Sequence, residues 1–277
     1  MKQMFDRLNS GPMANARLFR NGLRLLALVP AIALAAAGAG GPNSKWALGP
    51  TNFAAPARVQ YTEAQSRFQI DTNNPEAAWR FGRACFDLAE FSLNDDTRAD
   101  LANIGIGVCR NLVSQKPELA QAHYFFAMNL GQLARTKTLG ALPLVDQMEG
   151  EFEKALELDE HLEHAGPDRN LGLLYLEAPS IGSIGSRRKA RQHLRRAVEL
   201  EPNFPENRLN LLEAYSRWGD RNGAARELKA LEDLWPGAKN EFSGEKWAPA
   251  WVDWERRFST LKEKVGETKM ESPRATQ

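Results

Sequence analysis

The sequence predicts an all-α protein, a solenoid of antiparallel helix pairs with a capping helix at its C-terminal end. Three observations predict this fold: a helix-favouring composition, two apolar patterns that recur together four times, and an amphipathic segment after the last recurrence. Ala, Leu, Glu and Arg dominate the middle of the chain, where β-branched residues are sparse, and this composition is typical of helices. The 36 basic and 35 acidic residues nearly cancel, so no overall positive charge indicates a nucleic-acid partner.

Each unit opens with one apolar pattern and continues with a second. The opening triplets are Phe81-Gly82-Cys85, Phe126-Ala127-Leu130, Leu171-Gly172-Tyr175 and Leu211-Leu212-Tyr215. The second patterns, spaced +4, +3 and +5, are Gly105-Cys109-Leu112-Pro117, Met148-Phe152-Ala155-Glu160, Ala190-Leu194-Ala197-Pro202 and Ala224-Leu228-Leu231-Pro236. These steps place apolar residues on one face of a helix. The small residues let two helices approach closely, and each proline is expected to end the second helix.

The turn between the two patterns lengthens toward the N-terminus. From the last triplet residue to the first residue of the second pattern there are 9 positions in the fourth unit, then 15, 18 and 20 in the third, second and first. Insertions of this kind fall at one helix–helix tip of a solenoid, so the extra segments are predicted to line one edge, our leading candidate for a functional surface. In the third unit the insertion carries Ile181 and Ile184 between glycines, both expected to be exposed, and Ser186 is expected to cap the next helix.

Two further stretches resemble the closing signature of the tetratricopeptide repeat (TPR): residues 153–159 and 196–202. The longer segment from Asn74 to Ala238 resembles the TPR proteins related to the T component of TRAP transporters and to the regulator-of-microtubule-dynamics family. The residues that carry this resemblance are Trp79-Arg80-Phe81-Gly82-Arg83-Ala84, His123-Tyr124 with Ala127, the run from Phe152 to Asp159, and the run from Gly166 to Tyr175 ending in Ala178-Pro179. The resemblance implies a non-enzymatic solenoid, in some members with a pore or groove for an extended or apolar ligand. The cysteine of the lipoprotein members is missing.

Residues 1–39 are predicted to be a signal peptide. Three arginines between positions 17 and 24 precede the apolar stretch Leu25 to Ala37, and small residues follow it, which is the pattern of a secretory signal. The apolar stretch is short for a bilayer-spanning helix. We therefore expect cleavage near Ala39 and a periplasmic or secreted protein, whereas an uncleaved signal would anchor it in the inner membrane.

The remaining chain divides into four predicted regions. Residues 40–61, rich in Gly, Pro and Ala, are predicted to be a flexible linker, and residues 62–238 the repeat domain. Asn74 is a residue type favoured at the N-cap of a helix, and Pro75 is one favoured at the first helical position. Residues 245–267, with Trp and other apolar residues at alternating +3 and +4 steps from Trp251, are predicted to be an amphipathic capping helix, and 268–277 a disordered tail.

Several side-chain groups leave alternatives open. Cys85 and Cys109 hold equivalent apolar positions on facing helices, so a disulfide and two buried thiols both fit. His161 and His164 beside acidic residues suggest a metal site, but a solvated turn is favoured there. A basic helix is interpreted as a solvated face, with an acidic partner or phospholipid as the alternative; its cations are Arg187, Arg188, Lys189, Arg191, Arg195 and Arg196.

The sequence shows no catalytic arrangement and predicts no enzyme, cofactor or metal site. It predicts a scaffold that binds a protein or peptide, with nucleic acid excluded and peripheral membrane contact left open. The alternative is an accessory component of TRAP-type solute uptake that holds a small apolar ligand. The candidate binding residues are mostly polar or aromatic residues of the first helices, which line the concave face of such solenoids: Arg80, Arg83, His123, Tyr124, Asn129, Asp168, Arg169, Tyr175 and Arg208.

Overall fold

The computed structural model describes Leu48, residues 53–137 and residues 140–270, with side chains described up to residue 266. The predicted signal peptide and most of the predicted linker lie outside these residues. None of the described helices combines the length and hydropathy needed to cross a bilayer.

Ten helices fill the described part of the chain, which confirms the predicted fold class. They are α1 (Ala54–Ile70), α2 (Pro75–Ala89), α3 (Asp95–Gln115), α4 (Ala120–Arg135), α5 (Leu142–Leu158), α6 (Leu162–Glu177), α7 (Arg187–Leu200), α8 (Pro205–Arg217), α9 (Arg221–Glu241) and α10 (Ala248–Met270). Helices α2 to α9 form four packed pairs, one for each predicted unit. The prediction that the turn within a pair lengthens toward the N-terminus is wrong: the connection is longest in the third unit, residues 178–186, and shorter in the first, residues 90–94, because the extra residues of the first unit extend its helices. Helix α1 packs on the first pair, and α10 packs on α8 and α9 at the other end.

The helix starts follow the local sequence. The Asn74 side chain accepts a hydrogen bond from the Ala77 amide at 3.0 Å, with Pro75 at the first helical position. The Ser186 side chain accepts one from the Lys189 amide at 3.3 Å. Both side chains satisfy an amide that the helix itself leaves without an acceptor, so both predicted caps are confirmed.

Small residues bring the paired helices together. A methyl group on Gly82 would lie 2.3 Å from the Sγ of Cys109, and one on Gly172 would lie 2.7 Å from the Cγ of Leu194. Larger residues at these two positions would force the helix pairs apart. Cys85 and Cys109 are both buried free thiols. Burial raises the pKa of each thiol, that of Cys109 to about 12, which keeps them protonated and unreactive.

The prediction that proline ends the second helix of each unit is wrong for the fourth unit. Pro236 lies inside α9, which continues to Glu241. Tertiary packing accounts for the difference, because the Trp235 ring stacks on Phe258 of α10 at a centroid distance of 4.3 Å. The contact with α10 holds the chain helical through the proline.

Both predicted boundaries of the folded region also shift. Residues 54–61, expected in the linker, form the first turns of α1. Tyr61 is buried there with its ring 5.4 Å from that of Phe81, so apolar contacts with α2 order this stretch. At the other end α10 continues through residues 268–270, which were expected to begin the disordered tail; residues 271–277 lie outside the described chain.

Candidate binding groove between the two ends of the solenoid

A groove of about 770 Å³ opens between helices α1 and α2 on one side and the segment that precedes α10 on the other. Polar side chains make up much of its lining: Gln60, Glu63, Arg67, Arg80, Arg83, Asp87, Glu245 and Lys246. The half-buried Trp79 contributes an aromatic ring. The groove thus joins a flat aromatic ring to a rim that carries both signs of charge.

Trp79 and Arg80 form one wall of the groove. The Trp79 ring is stacked on Phe125 of α4, with centroids 5.8 Å apart and planes only 6° from parallel. The Arg80 guanidinium lies 5.0 Å above the centroid of Trp79 and pairs with Glu76 at 2.8 Å. Because both partners of this ion pair are exposed, it contributes roughly 1 kcal/mol or less. The guanidinium can therefore leave Glu76 for a bound carboxylate at little cost.

Arg83, in contrast, is fixed by internal contacts. Its Nη1 donates to the Glu163 carboxylate at 2.7 Å, and its Nε lies 3.6 Å from a carboxylate oxygen of Asp87. Burial tends to lower the pKa of Arg83, but the carboxylates of Glu163 and Asp87 outweigh this and raise it. Burial raises the pKa of Asp87 to about 6, against the opposing effect of Arg83. Arg83 thus shapes the floor of the groove, with its charge already balanced.

Glu163 reaches Arg83 from a left-handed turn at the start of α6. Glu163, His164 and Ala165 have φ values of 49°, 58° and 57°, a region that costs a residue with a side chain roughly 1–2 kcal/mol. The buried Arg169 holds this turn, donating to the carbonyl oxygens of Glu163 at 3.2 Å and His164 at 3.0 Å. Asn207 donates to the His164 carbonyl as well, at 3.1 Å. These bonds hold the backbone that directs Glu163 toward α2.

His164 connects the same turn to the far wall of the groove. Its ring stacks on Phe204, with centroids 4.4 Å apart and planes 14° from parallel, and contacts the edges of Phe242 and Trp247. Lys246, next to Trp247, is exposed at the groove, with its Nζ 5.1 Å above the Trp247 ring. His161 is exposed, as expected for a solvated turn, whereas the His164 side chain is 35% exposed and packs against an aromatic cluster.

Two of the nine predicted binding residues, Arg80 and Arg83, line the groove. The predicted residues of α4 make contacts inside the chain. His123 is buried between the Glu151 carboxylate at 2.6 Å and the Pro117 carbonyl at 2.9 Å. The Tyr124 hydroxyl accepts from Asn170 at 3.0 Å, and burial raises its pKa to about 12. Asn129 donates to carbonyl oxygens of α2 and of its own helix, at 2.9 and 2.8 Å.

The remaining predicted residues also bond within the chain. Asp168 is buried, 2.7 Å from His193 and 3.2 Å from the Nε of Arg196. Tyr175 donates to Glu149 at 2.6 Å. Burial and this bond raise its pKa. Arg208 donates to the Pro202 carbonyl at 3.1 Å and to Glu227 at 2.9 Å. Ligand binding by these side chains stays a prediction.

Sequence reasoning missed Arg67 and Lys246. Arg67 lies in the last turn of α1, which precedes the first repeat, and Lys246 lies between α9 and α10. Neither position belongs to a repeated pattern, so the repeat alignment gave no signal for them. Among the described residues, no group of three or more His, Cys, Asp or Glu side chains is arranged to hold a metal ion.

Comparisons with known proteins agree with this architecture. The family model described as Regulator of microtubule dynamics protein 1-3 matches residues 57–165, which span α1 to α5 and include the Trp79 wall of the groove. This confirms the predicted resemblance over that stretch. A comparison with curated proteins gives no match.

Solved structures with the same fold include a thermophilic TPR protein of Thermus thermophilus. Its TM-score is 0.56 at 20% identity, over 76% of this chain and 92% of that chain. More distant are MamA, with a TM-score of 0.47 at 17% identity over 69% and 98% of the two chains, and YrrB, described as a TPR protein with an unusual peptide-binding site, with a TM-score of 0.44 at 15% identity over 76% and 93%. The first likeness shows that the chain has a TPR-like fold.

Proposed function

We propose that this TPR-like chain is a non-enzymatic scaffold that binds an extended peptide segment of a partner protein in the groove between α1–α2 and the segment before α10. The observation that carries the proposal is the groove itself, in which an aromatic ring and exposed cations lie on two walls that come from opposite ends of the solenoid. Extended peptides are recognised by grooves of this kind, which hold the backbone and select a few side chains.

The charges of the groove indicate which peptides fit. Arg67 and Lys246 are exposed and form no ion pair with another described residue, and the pair made by Arg80 is exchangeable. These three cations favour carboxylates in the ligand. Glu63 and Glu245 lie at the same rim, so we expect selectivity for a segment with acidic residues around an apolar one, and not attraction of every polyanion.

A small apolar ligand, as expected for a component of solute uptake, is not favoured by this site. Filling the groove with such a ligand would cover charged side chains without giving them hydrogen-bond partners, which is costly. A peptide instead supplies polar groups along its whole length. Export of the protein, and thus a partner in the cell envelope, is the second part of the proposal. It rests on the signal pattern in residues 1–39, and N-terminal sequencing of the protein from cells tests it.

The binding test uses fluorescence anisotropy with three labelled peptides that share a central Leu-Trp-Leu and are flanked by Glu, Gln or Lys. We expect the Glu peptide to bind best and its affinity to fall with salt, since exposed charges are screened. The double variant Arg80→Glu with Lys246→Glu should weaken the Glu peptide at least about tenfold. Arg169 is unsuitable for this test because it is buried and holds the fold.

The matched control is Arg226→Glu, which reverses an exposed cation of α9 outside the groove. It should leave the Kd of the Glu peptide unchanged. Equal affinity for the Glu and Lys peptides, or unchanged binding by the groove double variant, would overturn the proposed site.

A further inference from the structure

The turn between α6 and α7 presents one apolar side chain to solvent. Ile181 is 92% exposed, and Gly182 beside it has a φ of +75°, which favours glycine. The base of the turn is closed, since the Ser186 amide donates to the Tyr175 carbonyl at 2.9 Å and the Gly185 amide donates to the Pro179 carbonyl at 3.0 Å. Transfer of an exposed isoleucine from water to an apolar environment is favourable, so the ordered turn presents Ile181 in a position to gain from contact with such an environment outside the chain.

The prediction that both isoleucines of this turn are exposed is therefore correct only for Ile181. Ile184 is partly buried and packs against the main apolar core. It anchors the turn while Ile181 projects from it. The two residues thus have opposite roles within four positions of chain.

Cations follow this turn directly in the chain. The first turn of α7 contains Arg187, Arg188 and Lys189 and no acidic residue. This placement is unfavourable in itself, because the helix N-terminus already carries partial positive charge. Lys189 pairs with Glu149 at 3.2 Å, but Arg188 is exposed and forms no ion pair with another described residue.

The half-buried Trp218 lies beside two arginines of α7. The guanidinium groups of Arg187 and Arg191 each lie 5.2 Å from the Trp218 ring centroid, which extends both arginines along the surface. An open depression of about 840 Å³ continues from Arg187 along the outer face of α7. Toward the end of this helix, Arg195 pairs with Glu199 and Arg196 with Glu160. The unbalanced positive charge therefore lies at the Ile181 end of α7.

We propose that this patch, formed by Ile181, Arg187, Arg188 and Trp218, docks on an anionic phospholipid bilayer. Ile181 enters the boundary of the acyl chains, while Arg187 and Arg188 contact lipid phosphates and Trp218 lies at the headgroup level. A single projecting aliphatic side chain, on the turn that leads into Arg187 and Arg188, needs no partner of complementary shape, which a protein interface would require. The function is separate from peptide binding, because none of the four residues lines the groove.

The test places an environment-sensitive fluorophore at the tip of the full chain. Ile181→Cys is labelled with a nitrobenzoxadiazole dye, and Ile70→Cys, which replaces an 86% exposed isoleucine at the end of α1, is the control. Labelling is selective because the two natural thiols are buried. Vesicles of phosphatidylglycerol and phosphatidylcholine should shift the emission to the blue at position 181 and leave position 70 unchanged. A local readout is needed because the apolar N-terminal stretch could itself bind vesicles.

Charge reversal gives the second measurement. In the labelled protein, Arg187→Glu with Arg188→Glu should raise the vesicle concentration at half-maximal shift at least about fivefold, and raising the salt concentration should act in the same direction. Pure phosphatidylcholine vesicles should give no shift. An unchanged emission at position 181, equal shifts at 181 and 70, or a shift produced by poly-Glu peptide instead of vesicles would overturn the proposal.

Discussion

The two ends of helix α6 differ in backbone strain, in their contacts with other helices and in their exposure to solvent. At its start, residues 163–165 form a strained left-handed turn that is tied to α2, to α8 and to the C-terminal aromatic cluster. At its end, the turn from Ala178 to Ser186 is closed mainly by its own backbone and presents Ile181 to solvent. The start connects units of the solenoid and fixes the groove, whereas the end is free to contact something outside the chain.

This difference shows where a repeat protein can hold a strained backbone and where the sequence of a turn can vary. Strain persists only where surrounding contacts over-determine the backbone, and Arg169 with Asn207 supplies those contacts at the start of α6. The exposed end has no such support and needs none, because its turn uses glycine at the position of positive φ. Four predictions test the contrast, in order of decreasing effect on the free energy of unfolding.

Arg169→Met should have the largest effect. It leaves the Glu163 carbonyl and the Asn207 side-chain oxygen without their donor in a buried site, and it releases the left-handed turn. We expect a loss of about 3–5 kcal/mol in the free energy of unfolding, measured by urea denaturation. The control near the other end is Arg188→Met, which replaces an exposed arginine that forms no ion pair with another described residue and should cost about 0.5 kcal/mol or less. Similar losses for the two variants would contradict the contrast.

Gly166→Ala should come next. Its new methyl group would lie 2.7 Å from the Tyr124 hydroxyl and 3.0 Å from the ring, and that ring is fixed by edge contacts with Phe125 and Phe152. We expect a loss of about 1–3 kcal/mol from overpacking. At Gly182 an added methyl group would meet nothing within 4 Å. Gly182→Ala should therefore cost only about 1 kcal/mol, the penalty for placing alanine at a positive φ. A larger loss at Gly182 than at Gly166 would reverse the interpretation of the two turns.

Ala165→Gly tests the strain directly. The substitution removes the conformational penalty for a φ of 57°. This gain offsets most of the free energy lost with the buried methyl group, so the free energy of unfolding should stay within about 1 kcal/mol of the parent. Ala197→Gly, at an equally buried position inside α7, should lose about 2 kcal/mol, because helix propensity and burial both fall. If Ala165→Gly is as damaging as Ala197→Gly, the turn is not strained.

The smallest effect concerns pH. Burial, and then the charge of Arg169, lower the pKa of His164. The unfolded chain therefore binds the proton more readily, and His164 contributes stability that is lost as pH falls through about 6.5. Relative to the parent, His164→Gln should become more stable between about pH 7 and pH 5 in urea denaturation.

His161→Gln is the matched control for this pH dependence. The hydrogen bond with Glu201 raises the pKa of His161, so this residue contributes stability at low pH that is lost as pH rises. The difference between His161→Gln and the parent should therefore slope in the opposite direction. Parallel pH profiles for the two variants would show that the aromatic cluster does not control the titration of His164.

The fold was predictable because its signals are local and repeated. The apolar pattern from Phe81 to Pro236 predicted the four units. The residue types of Asn74 and Ser186 predicted the two helix caps, and the small residues Gly82 and Gly172 predicted close contacts between paired helices. The groove was predictable only in part. Arg80 and Arg83 were found from their place on a first helix. Arg67 and Lys246 lie outside the repeats, and only the path of the whole solenoid brings them to opposite walls of one groove.

The sequence by itself determined the helices and their pairing, because helical periodicity, caps and glycine act over a few residues. It did not determine the lengths of the turns, since the longest connection within a pair is that of the third unit, residues 178–186, and not that of the first, residues 90–94. Only the tertiary structure decided that Glu163, His164 and Ala165 are left-handed. Of the three, only histidine is enriched at positive φ, and the backbone adopts this conformation because Arg169, Asn207 and Phe204 together outweigh the strain. Tertiary packing likewise decided which polar side chains are buried and which face a groove, since that depends on contacts between residues far apart in the chain.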